Sequence, residues 1–123
     1  MYFIGIDISK FKHDCAVIDD SGEIVTPSWS FTNDAEGFSQ LKLLLNSLDT
    51  ETRIGLESTG HYGMNLKLFL ESNNFSFMEF NPLLINRFVK SKSLRKTKSD
   101  SIDCMMIAHY LMTVEYKPYP SSF

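Results

Sequence analysis

The chain has 123 residues, 43% hydrophobic and 13% aromatic, with a formal charge of −3. That is enough apolar material for one folded domain with a real core and excludes a disordered chain. A net charge so small argues neither for nor against a nucleic-acid partner, so local charge distribution must decide.

The opening run, residues 2–7, is short and apolar, holds Ile4 and Ile6, and ends in Asp7 followed by Ser9 and Lys10. It reads as a buried strand that ends at a site. Residues 13–19 carry Ala16, Val17 and Ile18, Asp20-Ser21-Gly22 supplies a turn, and residues 23–31 resume with Ile24, Val25, Trp29 and Phe31. Three strands with tight connections predict an antiparallel meander. Pro27 interrupts the third and predicts an edge position, because proline cannot donate to a strand ladder.

The period then changes. After Thr32-Asn33-Asp34, a helix cap, Phe38, Leu41, Leu44, Leu45 and Leu48 recur at helical spacing. Residues 53–57 form another short apolar strand ending in a carboxylate, Glu57, and Ser58-Thr59-Gly60 turns into a second helix with Met64, Leu66, Leu68, Phe69 and Leu70. Residues 75–80 predict a fifth strand, Pro82 the first turn of a helix through about residue 89, and residues 100–113 a last helix. Residues 114–123, with Pro118 and Pro120, form an extended tail. The fold class that follows is α/β: a mixed five-stranded sheet, its first three strands antiparallel, flanked by helices.

Cys15 and Cys104 sit in apolar stretches without metal-ligand spacing and read as reduced core residues. The chain lacks an opening secretory pattern and any apolar run of bilayer length, so a soluble, cytoplasmic protein without a membrane partner is expected.

Asp7 and Glu57 occupy equivalent places, each closing an apolar strand and followed by a polar turn. In open α/β sheets, ligands bind outside the carboxyl ends of strands. Two carboxylates within 4 Å would repel by about 4 kcal/mol at an effective dielectric of 20, so a cation is expected between them. Asp100 and Asp103 open the last helix, where three-residue spacing predicts one shared face. Four such hard oxygen donors suit two Mg²⁺ or Mn²⁺ ions and phosphodiester chemistry, whereas zinc would call for His and Cys. Each acid also has a plainer role: Asp100 and Asp103 as a helix cap, Asp7 as a turn former, Glu57 as an exposed strand end.

Between residues 87 and 98 the chain places Arg87, Lys90, Lys92, Arg95, Lys96 and Lys98 with no acid among them. Setting those six cations aside takes the formal charge from −3 to −9. They are candidates to hold a phosphate backbone over the acidic site. The alternative is a solvated basic loop.

Three segments match a family. Gly5-Ile6-Asp7-Ile8-Ser9-Lys10, Leu56-Glu57-Ser58-Thr59-Gly60-His61-Tyr62 and Lys96-Thr97-Lys98-Ser99-Asp100-Ser101-Ile102-Asp103 closely resemble the signatures of the DEDD transposases of the Insertion Sequence 110 family, relatives of the pilin-gene inversion recombinases. The order and spacing agree over nearly the whole chain. The resemblance implies an RNase H-like, RuvC-like domain over residues 1–113, with Asp7, Glu57, Asp100 and Asp103 as the catalytic, metal-binding tetrad. It implies action on DNA ends or junctions in transposition, assembly of the full-length protein as a homo-oligomer, and in some members a guide RNA. Where the family usually has alanine after the last aspartate, this chain has Cys104. Family members continue into a further domain that supplies a serine nucleophile, so the tail at 114–123 is expected to lead toward it, and the isolated domain to be incomplete alone. Of the other motif residues, Ser9, Lys10, Thr59 and His61 are candidates to touch phosphate or a metal-bound water, Lys10 as a further nucleic-acid-binding cation, with capping or first-turn positions as the alternative for Thr59 and His61. Competing functions are a free-standing junction resolvase or nuclease, a non-catalytic nucleic-acid-binding module, and a sugar-kinase or actin-like nucleotide domain, the last disfavoured by the absence of a second phosphate-binding glycine turn.

Overall fold

A computed structural model describes residues 1–57, 60–91 and 103–118. The isoleucine-rich opening forms strand β1 (Tyr2–Ile8), which pairs antiparallel with β2 (Lys12–Asp19). Asp19 makes the next turn: its carboxylate accepts from the backbone N–H of Ser21 at 2.9 Å and of Glu23 at 3.0 Å, and Gly22 takes φ +87°. Strand β3 (Ile24–Thr32) follows at the sheet edge. Pro27 thus sits where its missing N–H is tolerated. Between the pairs Cys15 with Trp29 and Val17 with Thr26 the ladder shifts, leaving Pro27 and Ser28 opposite Ala16 in a bulge.

Asp34 caps α1 (Ala35–Ser47), its carboxylate accepting from Gly37 N at 2.9 Å. The chain returns as β4 (Thr52–Glu57), parallel to β1, then passes through a 3-10 turn (Gly60–Gly63) and α2 (Met64–Ser72) to β5 (Met78–Phe80), parallel to β4. The sheet order is β3-β2-β1-β4-β5. This is the mixed five-stranded α/β fold expected, of the RNase H-like kind. The strand expected over 75–80 is shorter, because Asn74 at φ +63° ends α2 and only Met78, Glu79 and Phe80 pair with β4. Phe77 is fully buried regardless.

Two apolar cores sandwich the sheet. On one face Ile4, Ile6, Cys15, Ile54 and Leu56 meet Leu41 and Leu45 of α1 and Leu66 and Leu70 of α2. On the other, Phe3, Ile18 and Phe80 meet α3 (Pro82–Ser91) through Ile85 and Val89, and α4 (Cys104–Leu111) through Ile107, Ala108 and Leu111. Both cysteines are free and buried, and burial pushes both thiols up from their ordinary pKa. Beyond α4, the Tyr116 hydroxyl lies 3.0 Å from Ser76 Oγ and its ring lies under the Arg53 guanidinium at 5.1 Å.

The last helix corrects one expectation. It begins at Cys104, and Asp103 is its N-cap, with extended backbone (φ −112°, ψ 174°) and a carboxylate accepting from Met106 N at 2.9 Å. Asp103 is therefore not helical, and helical spacing cannot put it on a shared helix face with Asp100. Asp100 itself lies outside the described residues.

Candidate active site

Strand alternation decides which side chains reach the site. Ile4, Ile6 and Ile8 of β1 enter the core beneath α1 and α2, so Phe3, Gly5 and Asp7 point to the α4 face. By the same alternation Asp14, Ala16 and Ile18 of β2, and Gly55 and Glu57 of β4, share that face. Asp7 pairs in register with Asp14, and the β1–β4 ladder runs through Ile6 with Leu56, so Asp7 and Glu57 follow side by side at the carboxyl ends of the two central parallel strands.

Helix α4 lies directly on this face because Gly5 has no side chain. A Cβ there would stand 2.1 Å from the Cys104 carbonyl oxygen and 2.5 Å from Ala108 N. The close approach brings the helix N-terminus, with Asp103 at its cap, to the end of the sheet that carries Asp7. Cys104 donates through its thiol to Ser28 Oγ at 3.3 Å, in the β3 bulge. Asp14 is held from the other side by the Ser30 hydroxyl.

The carboxylates feel one another. The Asp7 pKa is pushed up to about 6, first by burial and then by the negative charges of Glu57, Asp14 and Asp103. Burial also raises Glu57. Among the described residues no ion pair reaches any of these four acids. Their donor chemistry, hard oxygens with excess negative charge, fits a divalent cation such as Mg²⁺ or Mn²⁺. Among the described residues, however, no three Asp, Glu, His or Cys side chains close into a ready cage.

Three of the four expected acids, Asp7, Glu57 and Asp103, thus come to one end of one face, and the fourth, Asp100, lies outside the described residues. Asp14 was missed. Its place depends on the β1–β2 register, and the connecting Ser9-Lys10-Phe11 carries no turn signature that fixes a register in advance. Of the expected phosphate-gripping residues, Lys10 is exposed in that connection, and Arg87 and Lys90 are exposed on α3. Lys92, Arg95, Lys96 and Lys98 lie outside the described residues, as do Ser58 and Thr59. His61 is exposed in the 3-10 turn, its ring 4.6 Å from that of Tyr62.

Comparison with known proteins agrees with this architecture. The family model of the DEDD transposases of Insertion Sequence 110, described as Transposase, matches residues 4–122. The chain belongs to this transposase family. It is also 32% identical over 111 residues to the pilin gene-inverting protein of Moraxella lacunata, an alignment covering 88% of this chain and 33% of the relative. The pilin gene-inverting protein of Moraxella bovis is 33% identical over 112 residues, with the same shares covered. The chain therefore spans about a third of the length of the curated relatives it matches. Among the described residues no helix is long and apolar enough to cross a membrane.

Proposed function

We propose that this DEDD transposase chain forms the metal-binding catalytic part of a protein that cleaves and transfers DNA strands. The observation that carries the reading is the convergence of Asp7, Glu57 and Asp103 at the carboxyl ends of two central parallel strands, with the negative charge on Asp7 unrelieved by any neighbouring cation among the described residues. In this reading Asp7, Glu57, Asp100 and Asp103 hold two divalent ions, Mg²⁺ or Mn²⁺, with residues 1–113 as the catalytic unit and 114–123 as the tail that joins it to the rest. When bound, such ions activate a nucleophile and stabilise a leaving oxygen in phosphodiester chemistry. The protein's own groups supply the frame: Asp7 and Glu57 present oxygens from rigid strands, and Asp103 presents one from a helix cap. Lys10, Arg87, Lys90, Lys92, Arg95, Lys96 and Lys98 hold the DNA backbone by charge. The relatives' greater length favours a chain completed by a serine-bearing segment over a free-standing junction resolvase. By the same resemblance the whole protein works as a homo-oligomer on element ends or junctions, with a guide RNA as a further partner; the cytoplasm is its proposed setting.

Calorimetric titration with Mn²⁺ and with Mg²⁺, in the presence and absence of branched DNA, tests the site. Asp7→Ala and Asp100→Ala are each expected to weaken binding by at least about tenfold, since even residues behind the direct ligands cost that much. Binding that neither substitution alters would return the acids to turn and cap roles. Cleavage of branched DNA by this chain alone would favour the free-standing nuclease. DNA affinity indifferent to metal and to Asp100→Ala would favour a non-catalytic binding module.

A further inference from the structure

We infer that the surface beside the acidic strand ends is a stacking platform for an unpaired DNA strand, built on Phe11 and the His61–Tyr62 pair. The inference rests on the nucleic-acid reading above and adds to it the state of the DNA next to the site.

The two chain segments that leave the acid-bearing strand ends are the Ser9-Lys10-Phe11 connection after β1 and the 3-10 turn after β4. Asn33 ties them together. Its side-chain N–H donates to the Lys10 carbonyl at 3.1 Å and to the Tyr62 carbonyl at 3.3 Å, and its backbone N–H donates to the Phe11 carbonyl at 2.9 Å. The turn also lies against the end of β1: a Cβ on Gly63 would stand 2.8 Å from Ile8 Cδ1. These segments are therefore fixed to one another at the end of the sheet that carries Asp7 and Glu57.

What they display is aromatic and basic. Phe11 is 75% exposed, the most exposed of the large apolar side chains among the described residues, and Lys10 Nζ stands 5.1 Å from its ring centroid. Tyr62 is 39% exposed and its ring meets that of His61, which is also exposed. Lys12 lies exposed on the other side of Phe11 in the chain. A single exposed phenylalanine needs no explanation by itself. Here one cation, Lys10, stands over the ring, a second, Lys12, follows it in the chain, and bonded backbone holds the segment at the end of the sheet that carries the acids. Bases stack on aromatic faces without regard to sequence, while neighbouring lysines pair with the backbone. In a duplex the base faces are covered by their neighbours, so rings of this kind engage a strand that has come unpaired.

The test is binding by this chain, in chelator, of a labelled oligothymidylate of about 16 nucleotides, a span that covers a single-strand site, compared with a blunt duplex. Phe11→Ala is expected to weaken oligothymidylate binding by about 5- to 150-fold, the range for one base–aromatic stack, and to leave duplex affinity unchanged. Phe11→Trp is expected to retain affinity, with its indole emission quenched on binding. Unchanged oligothymidylate affinity in Phe11→Ala, an equal loss on duplex, or tighter binding of oligouridylate than of oligothymidylate would each overturn the platform for DNA. Because chelator removes metal from this experiment, failure here leaves the calorimetric test of the acids standing. An Asp7→Ala variant that loses Mn²⁺ yet keeps Phe11-dependent oligothymidylate binding would establish the two surfaces as separate.

Discussion

Replacing Gly5 with alanine is expected to destabilise the fold by at least about 3 kcal/mol, the upper end of the usual cost of forcing atoms into a packed core. The added methyl would meet backbone, the Cys104 carbonyl oxygen at 2.1 Å and Ala108 N at 2.5 Å, and backbone in a helix cannot swing aside as a side-chain tip can. The same change at Gly55 meets only side chains, Phe80 Cε2 at 2.7 Å and Leu111 Cδ2 at 3.3 Å, so its cost should be smaller. Gly5 is also what lets α4 bring Asp103 to the end of the sheet where Asp7 lies. Any Gly5→Ala molecule that folds should hold α4 farther from β1 and bind Mn²⁺ more weakly. Urea unfolding followed by circular dichroism reads the first effect and calorimetry the second. A wild-type midpoint for Gly5→Ala would mean that α4 does not rest on β1 at this residue, and the site built on that contact would fail with it.

The parts of this structure that were legible in the sequence are those set by local chemistry. Pro27 marked an edge strand because a missing N–H has few places to go, and Asp34 marked a helix start because its carboxylate can serve a free backbone donor. Asp7 and Glu57 were visible because a charge that ends an apolar strand has no packing role. What escaped depends on pairing between segments. Asp14 joins the site only through the register that sets it against Asp7, and nothing in Ser9-Lys10-Phe11 dictates that register. Gly5 stands inside a motif, yet its function, to seat α4, depends on a helix about a hundred residues later in the chain. Asp103 looked helical because apolar residues continue the pattern after it, while its own side chain is occupied in capping the helix. An aspartate can both cap and present its second oxygen, so this correction alters the geometry by which Asp103 reaches the site and leaves it beside Asp7.

The acidic site should also reveal itself through pH, with a sign opposite to that of a carboxylate in a salt bridge. Because Asp7 titrates at about 6 in the fold against an ordinary value of 3.8, the folded chain keeps a proton between about pH 4 and 6 that the unfolded chain has lost. Its contribution to stability is therefore fully present below about pH 4 and is lost as pH rises through 6. Discounted for the side chain's partial contact with solvent, the loss is about 1–2 kcal/mol. Asp7→Asn should match wild type in acid and exceed it at neutral pH. The difference between the two proteins isolates Asp7 from His13, whose pKa burial lowers and whose own contribution is lost as pH falls below its ordinary 6.5. A metal ion competes with the same proton. Mn²⁺ affinity should level off above about pH 7 and fall by about 100-fold from there to pH 4, while saturating Mn²⁺ should make wild type more stable at neutral pH and leave Asp7→Asn unmoved. A difference between wild type and Asp7→Asn that stays flat from pH 4 to 7 would show that Asp7 is neither buried nor crowded by Glu57, Asp14 and Asp103 enough to hold its proton. A Mn²⁺ affinity equally flat over that range would show that the ion binds without Asp7, and the catalytic reading would have to place its metal elsewhere.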